Sequence, residues 1–132
     1  MRSAAEILRE ARTIAVVGAS PKPDRPSHGV MRYLLARGYR VIPVRPLDCD
    51  EVLGIPCVPS LADVGEPIDL VDVFRRLEFC PDVAREAVAV GAGALWLQLG
   101  LVSPEARRIA EAGGLDYVED ECAAVVHRTQ VA

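Results

Sequence analysis

The run Thr13-Ile-Ala-Val-Val-Gly-Ala-Ser20 limits the possible folds of this chain more than any other stretch. Its apolar residues do not alternate with polar ones, so a strand built from them has no face to give to water. Such strands belong to parallel sheets covered by helices on both sides. Gly18 ends the run in a turn of small residues, where backbone N–H groups can approach an anion. A dinucleotide fingerprint would enter its helix through G-x-G-x-x-G. Here the second and third glycines are absent, and Pro21-Lys-Pro-Asp-Arg-Pro-Ser27 supplies a stiff, basic, proline-rich loop instead.

The rest of the chain repeats the strand-then-helix pattern about five times. Ser3-Ala-Ala-Glu6 has capping-box spacing and predicts a helix over 4–12. Ser27 is placed to cap a helix carrying Val30, Met31, Leu34 and Leu35, with Gly38 as its left-handed terminus. Residues 39–44 read as a strand in which Pro43 favours an edge position. Leu47 to Pro59 reads as loop with a short extended piece at 55–58, and Ser60 can cap one helical turn. Strands follow at 68–74, 94–99 and 115–118. Between them lie a helix over 82–90 opened by Pro81 and one opened by Ser103-Pro104-Glu105. These features predict one domain over 1–132 with an α/β, Rossmann-like, doubly wound fold: a mainly parallel sheet of about five strands with helices on both faces.

Composition narrows the function classes. A content of 51% hydrophobic and 26% charged residues separates this chain from disordered proteins, and no 18-residue apolar span is present. The formal charge of −4 disfavours nucleic acid and anionic membranes as partners. Residues 1–12 lack the apolar core of a signal peptide, so the expected location is cytoplasmic. The four cysteines, Cys49, Cys57, Cys80 and Cys122, form no C-x-x-C pair and are expected to be buried small hydrophobes with no metal among them.

Right-handed crossovers bring the carboxyl ends of parallel strands to one edge, where ligands bind. Gly18, Ala19 and Ser20 should meet a pyrophosphate there, with Lys22, Arg25 and Ser27 close behind. A domain that binds NAD places an acid after its second strand, whereas this chain has Arg45 followed by Pro46. Arg45 suits an additional phosphate, either the 2′ group of NADP or the 3′ group of coenzyme A. Phe74 is placed to lie against adenine or pantetheine, and Arg75 to reach phosphate. Trp96 is expected in the core with its N–H satisfied, with Gln98 on the same side of the strand. His28 is expected at the surface or as a cap.

Several blocks together carry a resemblance: Val16 to Ser27, Arg37-Gly-Tyr39, Val41 to Pro46, Asp69 to Arg76, Ala94 to Gly100 and Glu119 to Cys122. They resemble the small stand-alone CoA-binding protein family over nearly the whole chain. That likeness implies a Rossmann-like domain akin to the CoA-binding part of the succinyl-CoA synthetase alpha subunit. It assigns Gly18, Ala19, Ser20, Lys22 and Arg25 to the diphosphate and 3′-phosphate, and Arg45, Pro46, Phe74 and Arg75 to the adenosine or pantetheine side. Two positions depart from the family pattern: Arg45 stands where Asn is common, and Glu121 where a basic residue is common.

The resulting expectation is a module that binds coenzyme A or an acyl-CoA without an assembled catalytic set, since neither a Ser-His-Asp order nor a catalytic acid pair is legible. An NADP-linked oxidoreductase and a subunit of a larger acyl-CoA enzyme are the alternatives, and self-association stays open. Cys122 follows a strand end near the expected pocket, but Glu119, Asp120 and Glu121 oppose thiolate formation there.

Overall fold

Parallel strands cannot be joined by tight turns, so each pair needs a crossover connection. A computed structural model of the chain, describing residues 1–46 and 48–132, shows how these are made. Helix α1 (Ala4–Glu10) opens on the expected capping box, with Ser3 Oγ accepting from Glu6 N and the Glu6 carboxylate accepting from Ser3 N. Then come β1 (Thr13–Val17), α2 (Pro26–Ala36) and β2 (Arg40–Val44). A small antiparallel hairpin, β3 (Glu51–Val52) and β4 (Ile55–Pro56), lies beyond. The second half runs β5 (Leu70–Val73), α3 (Cys80–Ala89), β6 (Ala94–Leu97), α4 (Pro104–Ala112), β7 (Asp116–Val118) and α5 (Ala123–Val126). The last helix continues as a π-helical segment over His127–Val131.

The main sheet has the order β2-β1-β5-β6-β7 with every pair parallel, which is the expected α/β, Rossmann-like arrangement. Alternate strand residues feed two separate cores, because successive side chains point to opposite faces. Val17, Val71, Val73, Leu95 and Leu97 pack with Val83, Ala84 and Ala106 of α3 and α4. Ile14, Val16, Leu70 and Trp96 pack with Ile7, Leu8, Met31, Leu34 and Val126 of the other helices. Trp96 is fully buried and donates from Nε1 to the Glu121 carbonyl at 2.8 Å, as its sequence context suggested. Pro43 lies on β2, the outermost strand, where a missing ladder donor costs least.

Four readings require correction. Ser27 does not cap α2: the N-cap is Arg25, which makes no side-chain capping bond, and Ser27 Oγ accepts from Ser20 N at 3.1 Å. His28 is buried, at 7% exposure, because α2 turns it toward the sheet. Cys49 and Cys57 are joined by a disulfide, whereas Cys80 is a buried free thiol and Cys122 a half-buried one. The turn at Leu53-Gly54, with φ of 52° and 80°, folds the chain back and brings the two Cα atoms within 6.0 Å, a separation a disulfide spans. Helix α5 was not anticipated. The loop expected from Leu47 begins at a residue outside those described, and its remainder contains the hairpin.

Gly18 ties β1 to β5. Its φ is +87°, and a Cβ there would stand 2.5 Å from the Phe74 carbonyl oxygen, a backbone atom that cannot swing aside. Strain and clash together make Gly18→Ala destabilising by about 3 kcal/mol in urea denaturation. A loss below about 1 kcal/mol would contradict this close approach.

Asp72 on β5 has no solvent exposure and accepts from Gln98 Nε2 at 2.5 Å, while its Oδ2 has no partner among the described residues. Burial pushes the carboxyl up from 3.8 to about 7, against the smaller opposing effect of the Gln98 bond. A native pKa above the unfolded one means that the folded state holds the proton more tightly. Stability from this group is therefore greatest below about pH 4 and falls as pH rises through 7, by on the order of 4 kcal/mol. Asp72→Asn should raise the melting temperature at pH 8 by about 10–15 °C and leave it nearly unchanged at pH 4. Calorimetry at the two pH values checks this, and equal shifts at both would exclude a buried, elevated carboxyl.

Candidate functional site

The first crossover moves from β1 outward to β2, and the later ones move the other way from β5 to β7. Helices α2 and α3 consequently diverge above the β1–β5 boundary, and a cleft of about 930 Å³ opens at the carboxyl ends of the strands. All five strands deliver residues to it: Gly18 and Ser20 after β1, Arg45 after β2, Phe74 to Arg76 after β5, Gln98 and Leu99 after β6, and Cys122 after β7.

The turn after β1 is internally braced. Ser27 Oγ accepts the Ser20 N–H, and Ser20 Oγ accepts the Lys22 N–H at 3.2 Å, so the two hydroxyls fold the proline-rich loop back over the start of α2. Since no side chain caps α2, the partial positive charge of its N-terminus faces the cleft that Arg25, Pro26 and Ser27 line. Arg45 reaches across from β2 and donates from Nη1 to the Ala19 carbonyl at 3.2 Å, joining the second strand end to the first. Arg75 lies over the Phe79 ring, its Cζ 4.3 Å from the centroid, a cation–π contact that holds the guanidinium along the wall.

Charge is distributed very unevenly. Lys22, Arg25, Arg45, Arg75 and Arg76 line the cleft, and among the described residues no Asp or Glu does, although the chain as a whole is at −4. Arg76 Nη1 forms an exposed ion pair with Glu78 Oε1 at 3.8 Å. The cations sit over β2, β1 and β5. Over β6 and β7 the lining is uncharged: Gln98, Leu99, Leu101 and Cys122. Two of the acidic side chains before Cys122 are engaged elsewhere: Glu119 Oε1 accepts from the Tyr117 hydroxyl at 2.9 Å and Asp120 Oδ1 accepts from Gly100 N at 2.7 Å.

Of the residues singled out from sequence, Gly18, Ser20, Lys22, Arg25, Ser27, Arg45, Phe74 and Arg75 come together around this cleft. Ala19 is fully buried beneath it and presents its carbonyl to Arg45, while Pro46 is exposed outside the lining. Val30, Phe79, Leu99 and Leu101 also line it and were not anticipated, and Gln98 lines it just past β6, where convergence was expected but no binding role was assigned. Gln98 carried a usable signal, being the first polar residue after the apolar run 94–97, which is the rule that identified Arg45. Val30 and Phe79 carried none, since their apolar character fits a core equally well.

Comparison with known proteins agrees with this geometry. A family model described as a CoA binding domain matches residues 12–128. The YneT protein of Bacillus subtilis is 44% identical over 122 residues, covering 92% of this chain and 90% of its own. A solved structure from Thermus thermophilus, the cell-free ID.343 protein, is 42% identical, with a TM-score of 0.88 over 93% of this chain and 92% of that one. The ADP-forming acetate–CoA ligase I of Archaeoglobus fulgidus is 27% identical across 92% of this chain, which spans only 19% of the ligase. With a family match over most of its length and relatives of the same size above 40% identity, this chain belongs to the CoA binding domain family.

Proposed function

We propose that the cleft binds coenzyme A or an acyl-CoA and that the protein acts as a carrier, sensor or regulatory module. The observation that carries this reading is the row of five cations, Lys22, Arg25, Arg45, Arg75 and Arg76, that line the cleft along three adjacent strand ends. A ligand with a diphosphate and a separate sugar phosphate matches such a spread, because each site needs its own counter-charge. The diphosphate lies at the Gly18–Ser20 turn and the start of α2, where N–H groups and the helix dipole favour negative charge. Lys22 and Arg25 serve the phosphates from the loop. Arg45, already braced on Ala19, reaches the 3′-phosphate or ribose, and Phe74 provides an apolar surface for the adenosine or pantetheine.

The chain's own residues perform the binding steps. Loop bracing by Ser20 and Ser27 limits the entropy lost when the ligand arrives, so the site is largely formed beforehand. Excess positive charge concentrated in a concave wall also attracts an anion to this cleft although the protein is acidic as a whole.

A second reading, as the CoA-holding part of a larger acyl-CoA enzyme assembly, is favoured by the match to one-fifth of an ADP-forming ligase. Both readings place the same ligand in the same cleft.

Isothermal calorimetry with CoA, dephospho-CoA and NADPH tests the proposal. Removing the 3′-phosphate should weaken binding by about ten- to a hundredfold, the equivalent of roughly 1.5–3 kcal/mol. Arg45→Ala should weaken CoA by about tenfold and dephospho-CoA by less, and NADPH should bind far more weakly than CoA. Equal affinity for CoA and dephospho-CoA would remove the role given to the basic residues, while preference for NADPH would replace CoA with a dinucleotide.

A further inference from the structure

The uncharged end of the cleft contains a polar device that binding phosphate does not require. Gln98 is 94% buried by its 6% exposure, stands at the carboxyl end of β6 and lines the cleft. Its Nε2 donates to Asp72 Oδ1 at 2.5 Å, and its Oε1 receives no donor from the described residues. Asp72 sits one strand away on β5, paired in register with Trp96 and wholly enclosed, with Oδ2 left without a partner. Packing gives no reason for a carboxyl at that place. A buried acid with one bare oxygen is destabilising, and an apolar side chain of similar volume would fill the position with less penalty. What the acid does supply is orientation. A carboxamide can present either its NH₂ or its C=O, and a buried acceptor on one side selects the rotamer that turns the oxygen to the other.

We propose that Asp72 is a positioning residue that holds Gln98 with its carboxamide oxygen toward the cleft, where it accepts a hydrogen bond from an amide N–H of the ligand's neutral arm. The inference rests on the CoA reading above and extends it to the part of the ligand beyond the diphosphate. The direction of the ligand follows from the distribution of charge. Cations over β2, β1 and β5 take the phosphates, so an amide-bearing arm runs over β6, past Gln98, Leu99 and Leu101. Neighbouring strand ends are about 4.8 Å apart, so Gln98 lies one strand step from Phe74 and two from Gly18. Coenzyme A carries two amides in its arm and adenosine 3′,5′-bisphosphate has none, which makes the pair a direct probe of this contact.

The test is calorimetric titration of the full chain and its variants with both compounds. Gln98→Leu should lose about tenfold in affinity for CoA and keep its affinity for adenosine 3′,5′-bisphosphate within about twofold. Asp72→Val should do the same, because Gln98 is then free to turn, whereas Asp72→Asn keeps an acceptor oxygen against Nε2 and should retain most of the CoA affinity. Unchanged affinity for the bisphosphate shows that each variant is folded with an intact phosphate site. If Asp72→Val does not fold, Gln98→Leu and Asp72→Asn still decide, since the pair must separate in CoA affinity. Equal losses for both compounds, or no loss of CoA affinity in Gln98→Leu, would overturn the assignment. Wild-type protein that binds neither compound would instead overturn the CoA reading, so the two failures are distinguishable.

Discussion

The arrangement depends on the reversal of strand order between β1 and β5. A chain that steps from β1 to β2 and later resumes on the opposite side of β1 must leave its covering helices apart at that boundary. The gap has to be closed at the level of the backbone and kept open above it. Gly18 meets the first need, since no side chain fits between it and the Phe74 carbonyl. The braced loop from Ser20 to Ser27 meets the second, holding one wall of the cleft clear of the other. Interior packing then follows the alternation of each strand, with two cores that share a sheet and little else.

Charge placement is the second level of organisation. Ion pairs elsewhere on the surface, such as Arg40 with Glu66 and Arg85 with Asp82 and Glu105, join cations to acids and are worth little individually. The cleft departs from that pattern. Arg45 is braced on the Ala19 carbonyl and Arg75 lies over the Phe79 ring, so backbone and aromatic contacts help to place these cations along its wall.

Most of the architecture was legible because its signals are short-range. Burial on both faces removes polar alternation, so 13–17, 70–73 and 94–97 announce themselves as strands, and Ser3, Gly38 and Ser103 mark helix ends by local chemistry. Much of the cleft was legible for the same reason, since residues just past such strands must converge. What escaped depends on contacts made across space. Ser27 has the appearance of a helix cap until the loop delivers Ser20 N–H to its hydroxyl. Cys49 and Cys57 become partners only when the hairpin forms. Helix α5 is stabilised by docking Ala123, Ala124 and Val126 in the core beside α1 and α2, and four small apolar residues carry no helical period of their own. The Asp72–Gln98 pair joins two strands 26 positions apart, a relation that register reveals and spacing does not.

The cleft receives residues from the end of every strand in the main sheet. Strand-and-helix units of a sheet can open locally at their carboxyl ends. An occupant lying across all five ends would be shared by all of them, so that opening any one unit would forfeit contacts belonging to the rest. The ligand would then serve the fold as a clasp, converting five separate fraying events into a single cooperative one, and occupancy would be felt in the mechanics of the whole sheet as well as at the surface that binds it.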